Sequence, residues 1–240
     1  MAKAGEAPGE AGLRAFFAHI ADRDEAAVMR LLEQRPDLAG SSLGTGATRQ
    51  EAKAYFLLPI RHHVYAGDTA LHVAAAAHHR DLAEALVARG AAVRARNRRG
   101  AEPLHYAADG GPSEERDSEE QRRVISYLIE AGADPNAMDK SGVAPLHRAV
   151  RNRASAAVEV LISSGADPRR RNRSGSTPLH LAVQNTGKAN SGSEAAKDEQ
   201  RRIILLLLDH GANPTDSDAH GKTVLAAASS EWIREVLGQH

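Results

Sequence analysis

The chain contains no cysteine, which excludes disulfides, thiol nucleophiles and cysteine-ligated zinc or iron–sulfur centres. Aromatic residues are scarce, at 3% of 240 residues. A core must therefore be built from Ala, Leu, Val and Ile, as suits small, closely packed helices. Net charge is lacking too: Lys+Arg and Asp+Glu balance at 31 each. No whole-molecule field draws the protein toward DNA or a membrane, and an electrostatic function has to come from local segregation of charge. No apolar run reaches the ~18 residues of a membrane span, and residues 1–12 are small, polar and Pro/Gly-containing rather than leader-like. The expectation is a cytoplasmic, cofactor-free monomer with a disordered N-terminus over residues 1–12. There is no Gly-x-Ser-x-Gly elbow, phosphate loop or dinucleotide fingerprint, so the chain is expected not to be an enzyme.

What the sequence does contain is a repeat. Leu71-His72 returns as Leu104-His105, Leu146-His147 and Leu179-His180, in steps of 33, 42 and 33 residues. A second marker, Gly90-Ala91, returns as Gly132-Ala133, Gly165-Ala166 and Gly211-Ala212, in steps of 42, 33 and 46. Two independent markers share a period of 33, and the longer steps are that period with 9 and 13 residues added. Between the markers lie apolar stripes at helical spacing: Leu82, Ala85, Leu86 and Val87; Val124, Ile125, Leu128 and Ile129; Val158, Leu161 and Ile162; and the run 203–208.

Thr177-Pro178-Leu179-His180, with its weaker copies at 69–72, 102–105, 144–147 and 223–226, resembles the tetrapeptide that opens the first helix of the ankyrin repeat. The chemistry suits a helix start, since a Thr hydroxyl can serve free amides and Pro is tolerated at the first helical position. The resemblance covers residues 67–240. It implies an all-α ankyrin-repeat solenoid with short β-hairpin fingers, four full repeats plus N- and C-terminal capping helices. The repeats are placed at 67–98, 99–139 (with an insertion), 140–172 and 173–218 (with an insertion), with a C-terminal cap at 219–240. Residues 13–66 are the N-terminal cap with an extra helix, expected over Thr48–Leu58 and ended by Pro59. Five of the eight aromatics lie in the first 65 residues, either plugging the open end or forming a recognition element. The insertions, acidic at 112–120 and softer at 187–199, read as solvated loops whose ends add turns to the second helix.

In this family the tetrapeptide histidine ties hairpin to helix, which is the role implied for His72, His105, His147 and His180. His62, His63, His78 and His79 lack a zinc-binding pattern and read as surface histidines. Family members bind partners through the fingers and the exposed end of each first helix. Carried onto this sequence, those positions are Arg96, Arg98 and Arg99; Asp109; Met138, Lys140 and Val143; Arg151 and Asn152; Arg171, Arg173 and Ser176; Gln184 and Asn185; and His220 and Lys222. The fingers are rich in arginine, so the implied partner is a protein with an acidic surface or segment. The alternatives are nucleic acid held by the arginine-rich fingers, disfavoured because no aromatic interleaves with the arginines, and a metal-dependent enzyme built on the histidines. The plainest reading is that arginine is simply frequent and the hairpins are merely solvated, or that Arg151 and Arg153 pair internally with the acidic insertion.

Overall fold

A computed structural model describes residues 9–110, 118–184 and 193–239. Each repeat opens at a residue in extended conformation followed by a short helix. Thr69, Ala144 and Thr177 have ψ of 168°, 164° and 166° and stand before α3 (Ala70–Ala76), α7 (Pro145–Arg151) and α9 (Pro178–Ala182). Three residues on, the histidine Nδ1 accepts the free amide at the helix start: Thr69 to His72 at 3.2 Å, Glu102 to His105 at 3.1 Å, Ala144 to His147 and Thr177 to His180 at 3.2 Å. Its Nε2 then donates to the following finger, at Ala101 from His72, Ser176 from His147 and Lys222 from His180. The imidazole thus satisfies one free amide at the helix start and gives a second donor to a finger carbonyl that already closes its own hairpin.

Contacts divide the chain into two compact units, Met1–Ala107 with Gly111–Asp134, and Ala108–Gly110 with Pro135–His240. The first holds three helix pairs: α1 (Glu10–Ala21) with α2 (Glu25–Gln34), α3 with α4 (Arg80–Val87), and α5 (Pro103–Ala107) with α6 (Ser118–Glu130). Neighbouring pairs meet through α1 on α3, α3 on α5 and α4 on α6. Phe16, Phe17, Ile20, Leu71, Leu86, Leu104, Ile125 and Leu128 are wholly buried there. In the second unit α7 packs on α8 (Ser155–Ser163) and on α9, and α10 (Glu194–Asp209) packs on α8 and α9. The end is closed by α11 (Val224–Ala227) and α12 (Glu231–Gly238), which seal Val224, Ile233 and Leu237. Trp232 and Val236 flank that seam and stay half-buried. Ala85 and Val87 are likewise half-buried, and the stripe on α4 is Leu82, Ala83 and Leu86.

Two expectations near the N-terminus are corrected. Helix α1 starts at Glu10, so residues 10–12 are ordered; residues 1–8 lie outside the described part. The Glu10 carboxylate accepts from the Thr45 hydroxyl at 2.6 Å and the Thr45 amide at 3.0 Å, which holds its pKa below the usual carboxylate range and anchors the first turn at its positive end. The helix expected over 48–58 is instead a four-residue 3-10 turn, Ala52–Tyr55, followed by β1 (Phe56–Leu57) paired antiparallel with β2 (His62–His63). The bulky residues Tyr55 to Leu58 are consecutive, so a helix could bury only part of them, whereas a hairpin sends alternate side chains to opposite faces. Phe56 and Leu58 remain 37% and 73% exposed, whereas Phe16 and Phe17 are fully buried.

The turns joining paired helices explain where insertions are tolerated. Tight turns place a residue in the left-handed region: Arg23 (φ 59°), His78 (φ 52°) and Arg153 (φ 54°). In the two inserted repeats a buried glutamine at the second helix takes over, Gln121 Nε2 donating to Ala107 at 2.9 Å and Gln200 Nε2 to Ala182 at 2.6 Å. The second helices α6 and α10 absorb the ends of the insertions as extra turns from Ser118 and Glu194; residues 111–117 and 185–192 lie outside the described part.

Candidate partner-binding surface

Four finger tips share one five-residue construction. An Asn or Asp side chain accepts the backbone amides two and four residues on: Asn97 at 2.9 and 3.1 Å, Asp139 at 2.7 and 3.0 Å, Asn172 at 2.9 and 3.0 Å, Asp218 at 2.8 and 3.0 Å. Its backbone amide then closes the hairpin on the fifth residue's carbonyl. The fourth residue is a glycine with φ between 71° and 77°, at 100, 142, 175 and 221, a conformation that carries no penalty only for glycine. The second and third places of each tip project: Arg98-Arg99, Lys140-Ser141, Arg173-Ser174 and Ala219-His220, all exposed.

In the first unit the tip is locked to a buried polar network. Asp68, fully buried, accepts Tyr106 Oη at 2.8 Å, Asn97 Nδ2 at 2.8 Å and the Tyr65 amide at 2.6 Å. One carboxylate therefore fixes both the tyrosine and the finger beside it. The Arg99 guanidinium lies 4.7 Å from the centre of the Tyr65 ring and that of Arg98 5.5 Å, within cation–π range. Arg98 also donates to the Ala47 carbonyl, and Arg96 Nε to Gly100 at 3.1 Å. Arg94 is spent on buried Glu102 and on Asp134; burial pushes the Glu102 carboxyl up, and Arg94 offsets this. No aromatic interleaves with the arginines along the chain, but Tyr65, more than thirty residues upstream, is brought to them by Asp68.

In the second unit the arginine run divides. Arg169 clamps buried Asp216 with Nε and a terminal nitrogen at 3.0 and 2.7 Å, which holds the Arg169 pKa above its ordinary value. Arg171 reaches the same carboxylate at 3.4 Å and donates to the carbonyls of Gly175 and Ser217. By contrast, the side chains of Lys140, Arg151, Arg173 and Lys222 are exposed and make no hydrogen bond or ion pair among the described residues. Asp109 is used internally, accepting from Arg148 at 2.8 Å and Asn152 at 3.1 Å. Arg153 is half-buried, its pKa lowered by that burial, and donates to the Gln184 carbonyl at 3.4 Å. Met138 is 36% exposed, Val143 and Ser176 are half-buried, and Gln184 and His220 are exposed. Asn185 lies outside the described residues.

Of the four histidines expected at the surface, His78 and His79 are buried and His62 and His63 half-buried. His78 and His79 are 5% and 8% exposed; His79 caps α4 by accepting the Leu82 amide and lies 2.9 Å from Glu25. His62 packs its ring 4.4 Å from that of Tyr106. Among the described residues no three His, Asp or Glu side chains are grouped to hold a metal ion, and no helix is long and apolar enough to cross a membrane.

Comparison with known families agrees with the geometry. The family model for ankyrin repeats in three copies matches residues 46–115 and again 116–191, and that for the single ankyrin repeat matches 174–219. No curated protein sequence matches the chain. Members of the matched family generally mediate protein–protein interaction and are typically non-catalytic. A 33-residue period, a histidine tying the helix start to the next finger at His72, His147 and His180, and family matches over most of the sequence together make this chain a member of the ankyrin-repeat family.

Proposed function

We propose that the protein is a non-catalytic interaction module that holds an acidic protein partner on its finger tips. The observation that carries this reading is the division of the basic residues into two classes. Arg94, Arg169 and Arg171 are neutralised by Glu102, Asp134 and Asp216, whereas Arg99, Lys140, Arg173 and Lys222 project at the tips without a carboxylate partner among the described residues. Unpaired exposed cations on rigid turns favour encounter with an oppositely charged surface and fix its register. The remaining finger and first-helix positions surround the contact and shape it.

Affinity capture from the native cell lysate tests this. The variant Arg99→Glu/Lys140→Glu/Arg173→Glu/Lys222→Glu is expected to lose a protein that the unaltered chain retains, with nearly unchanged unfolding; unaltered capture contradicts the proposal. Arg98 and Arg171, equally prominent in the sequence, are unsuitable for this variant because their internal bonds would confound stability with binding. A second reading, nucleic-acid binding, draws on the Tyr65–Arg99 contact, since an aromatic beside guanidinium groups is what single strands stack upon. It requires binding of a generic oligonucleotide at low salt that falls steeply as salt rises.

A further inference from the structure

We propose that the finger tips of the second unit read an extended acidic segment whose carboxylates recur at every third residue; this rests on the acidic-partner reading and specifies its chemistry. The argument starts from how successive tips join. The Arg173 amide donates to the Ser141 carbonyl at 3.1 Å, and the Ala219 amide to the Ser174 carbonyl at 3.0 Å. The second place of one tip therefore bonds across to the third place of the tip before it, and the pattern repeats. Going from Lys140 to Arg173 takes one step along the chain, about 3.8 Å, and one step across a hydrogen-bonded pair, about 5 Å, hence roughly 9 Å at most. In an extended segment of polyproline-II form, with three residues per turn, every third side chain returns to the same face after about 9 Å. The flexible lysine and arginine side chains absorb any residual difference.

The tips are rigid in a way that makes this spacing a ruler. A Cβ added at Gly142 would lie 2.7 Å from the Arg173 amide nitrogen, and one added at Gly175 would lie 2.4 Å from that of Ala219. Adjacent tips are thus in backbone contact and cannot close further. In the last tip Ala219 fills the second place, and the cation is displaced to the fifth, Lys222. The ladder therefore presents Lys140 and Arg173 in register and Lys222 beyond them, with Ser141 and Ser174 exposed between as hydroxyl donors. The carboxylates inside the tips, Asp139 and Asp218, are turned onto backbone amides, and the amides of His220 and Lys222 hold the Asp218 pKa below its ordinary value.

The test uses the full chain and two fluorescein-labelled twelve-residue Gly/Ser peptides of identical composition. One carries three Asp at every third position and the other carries them consecutively. In fluorescence anisotropy at low ionic strength the spaced peptide is expected to bind about tenfold more tightly. That preference should vanish in Lys140→Ala/Arg173→Ala, whose melting curve is expected to match the unaltered chain. Equal binding of the two peptides overturns the spacing while leaving an acidic partner in place; binding of neither overturns both. Tighter binding of a labelled oligothymidine of equal charge overturns the proposal in favour of nucleic acid.

Discussion

The histidine and carboxylate side chains at the base of the fingers do structural work that sequence composition hides. Burial lowers the pKa of His147 from its ordinary 6.5, against the carbonyls of Ser176 and Arg170, which favour the proton. Because the folded pKa lies below the unfolded one, the unfolded chain binds more protons in acid, so stability is lost as pH falls below the unfolded value. Urea unfolding is expected to weaken between about pH 7 and about pH 5, and His147→Gln is expected to flatten that dependence; an unchanged slope in the variant would show that His147 is not its source. Tyr106→Phe removes one donor from buried Asp68 and is expected to lower stability by about 1–3 kcal/mol in the same assay. The tetrapeptide histidines were legible because they recur with the period. The Asp68–Asn97–Tyr106 network was not, since its members lie 29 and 38 residues from Asp68 and only the superposition of neighbouring repeats brings them together.

At the scale of elements, the glycines separate into two kinds that predict different consequences of substitution. Gly90, Gly132, Gly165 and Gly211 end second helices at φ of 90–102° with open space around the missing Cβ, so Ala there costs only the backbone strain of about 1–2 kcal/mol. Gly142 and Gly175 combine positive φ with a neighbouring finger against the Cβ position. Gly175→Ala is therefore expected to destabilise by at least ~1 kcal/mol more than Gly165→Ala in paired denaturant titrations. Helix existence and the location of the turns followed from the 33-residue period and the apolar stripes. The stretch 48–58 did not, because four consecutive bulky residues carry neither a 3.6 nor a clean 2-residue period and the hairpin they form depends on packing against α1 and the 42–47 segment. The positions of the fingers were legible for the same reason as the helices, whereas the pairing of Arg94, Arg169 and Arg171 with Glu102, Asp134 and Asp216 depends on tertiary approach.

For the molecule as a whole, a net charge of zero conceals a sorting of cations by whether a carboxylate reaches them. Charge count alone treats every finger arginine as equivalent. The structure makes Arg169 a stabilising group, so Arg169→Ala is expected to lower the unfolding free energy by leaving nearly buried Asp216 with less compensation, with little direct effect on partner affinity. The opposite pairing of effects belongs to the tip cations. The most direct measurement of the central claim is thus the affinity of the captured partner for the unaltered chain and for Arg99→Glu/Lys140→Glu/Arg173→Glu/Lys222→Glu, read beside both melting curves. Affinity lost by an order of magnitude or more at an unchanged melting temperature is the expected result, and equal affinities for the two proteins would contradict the account.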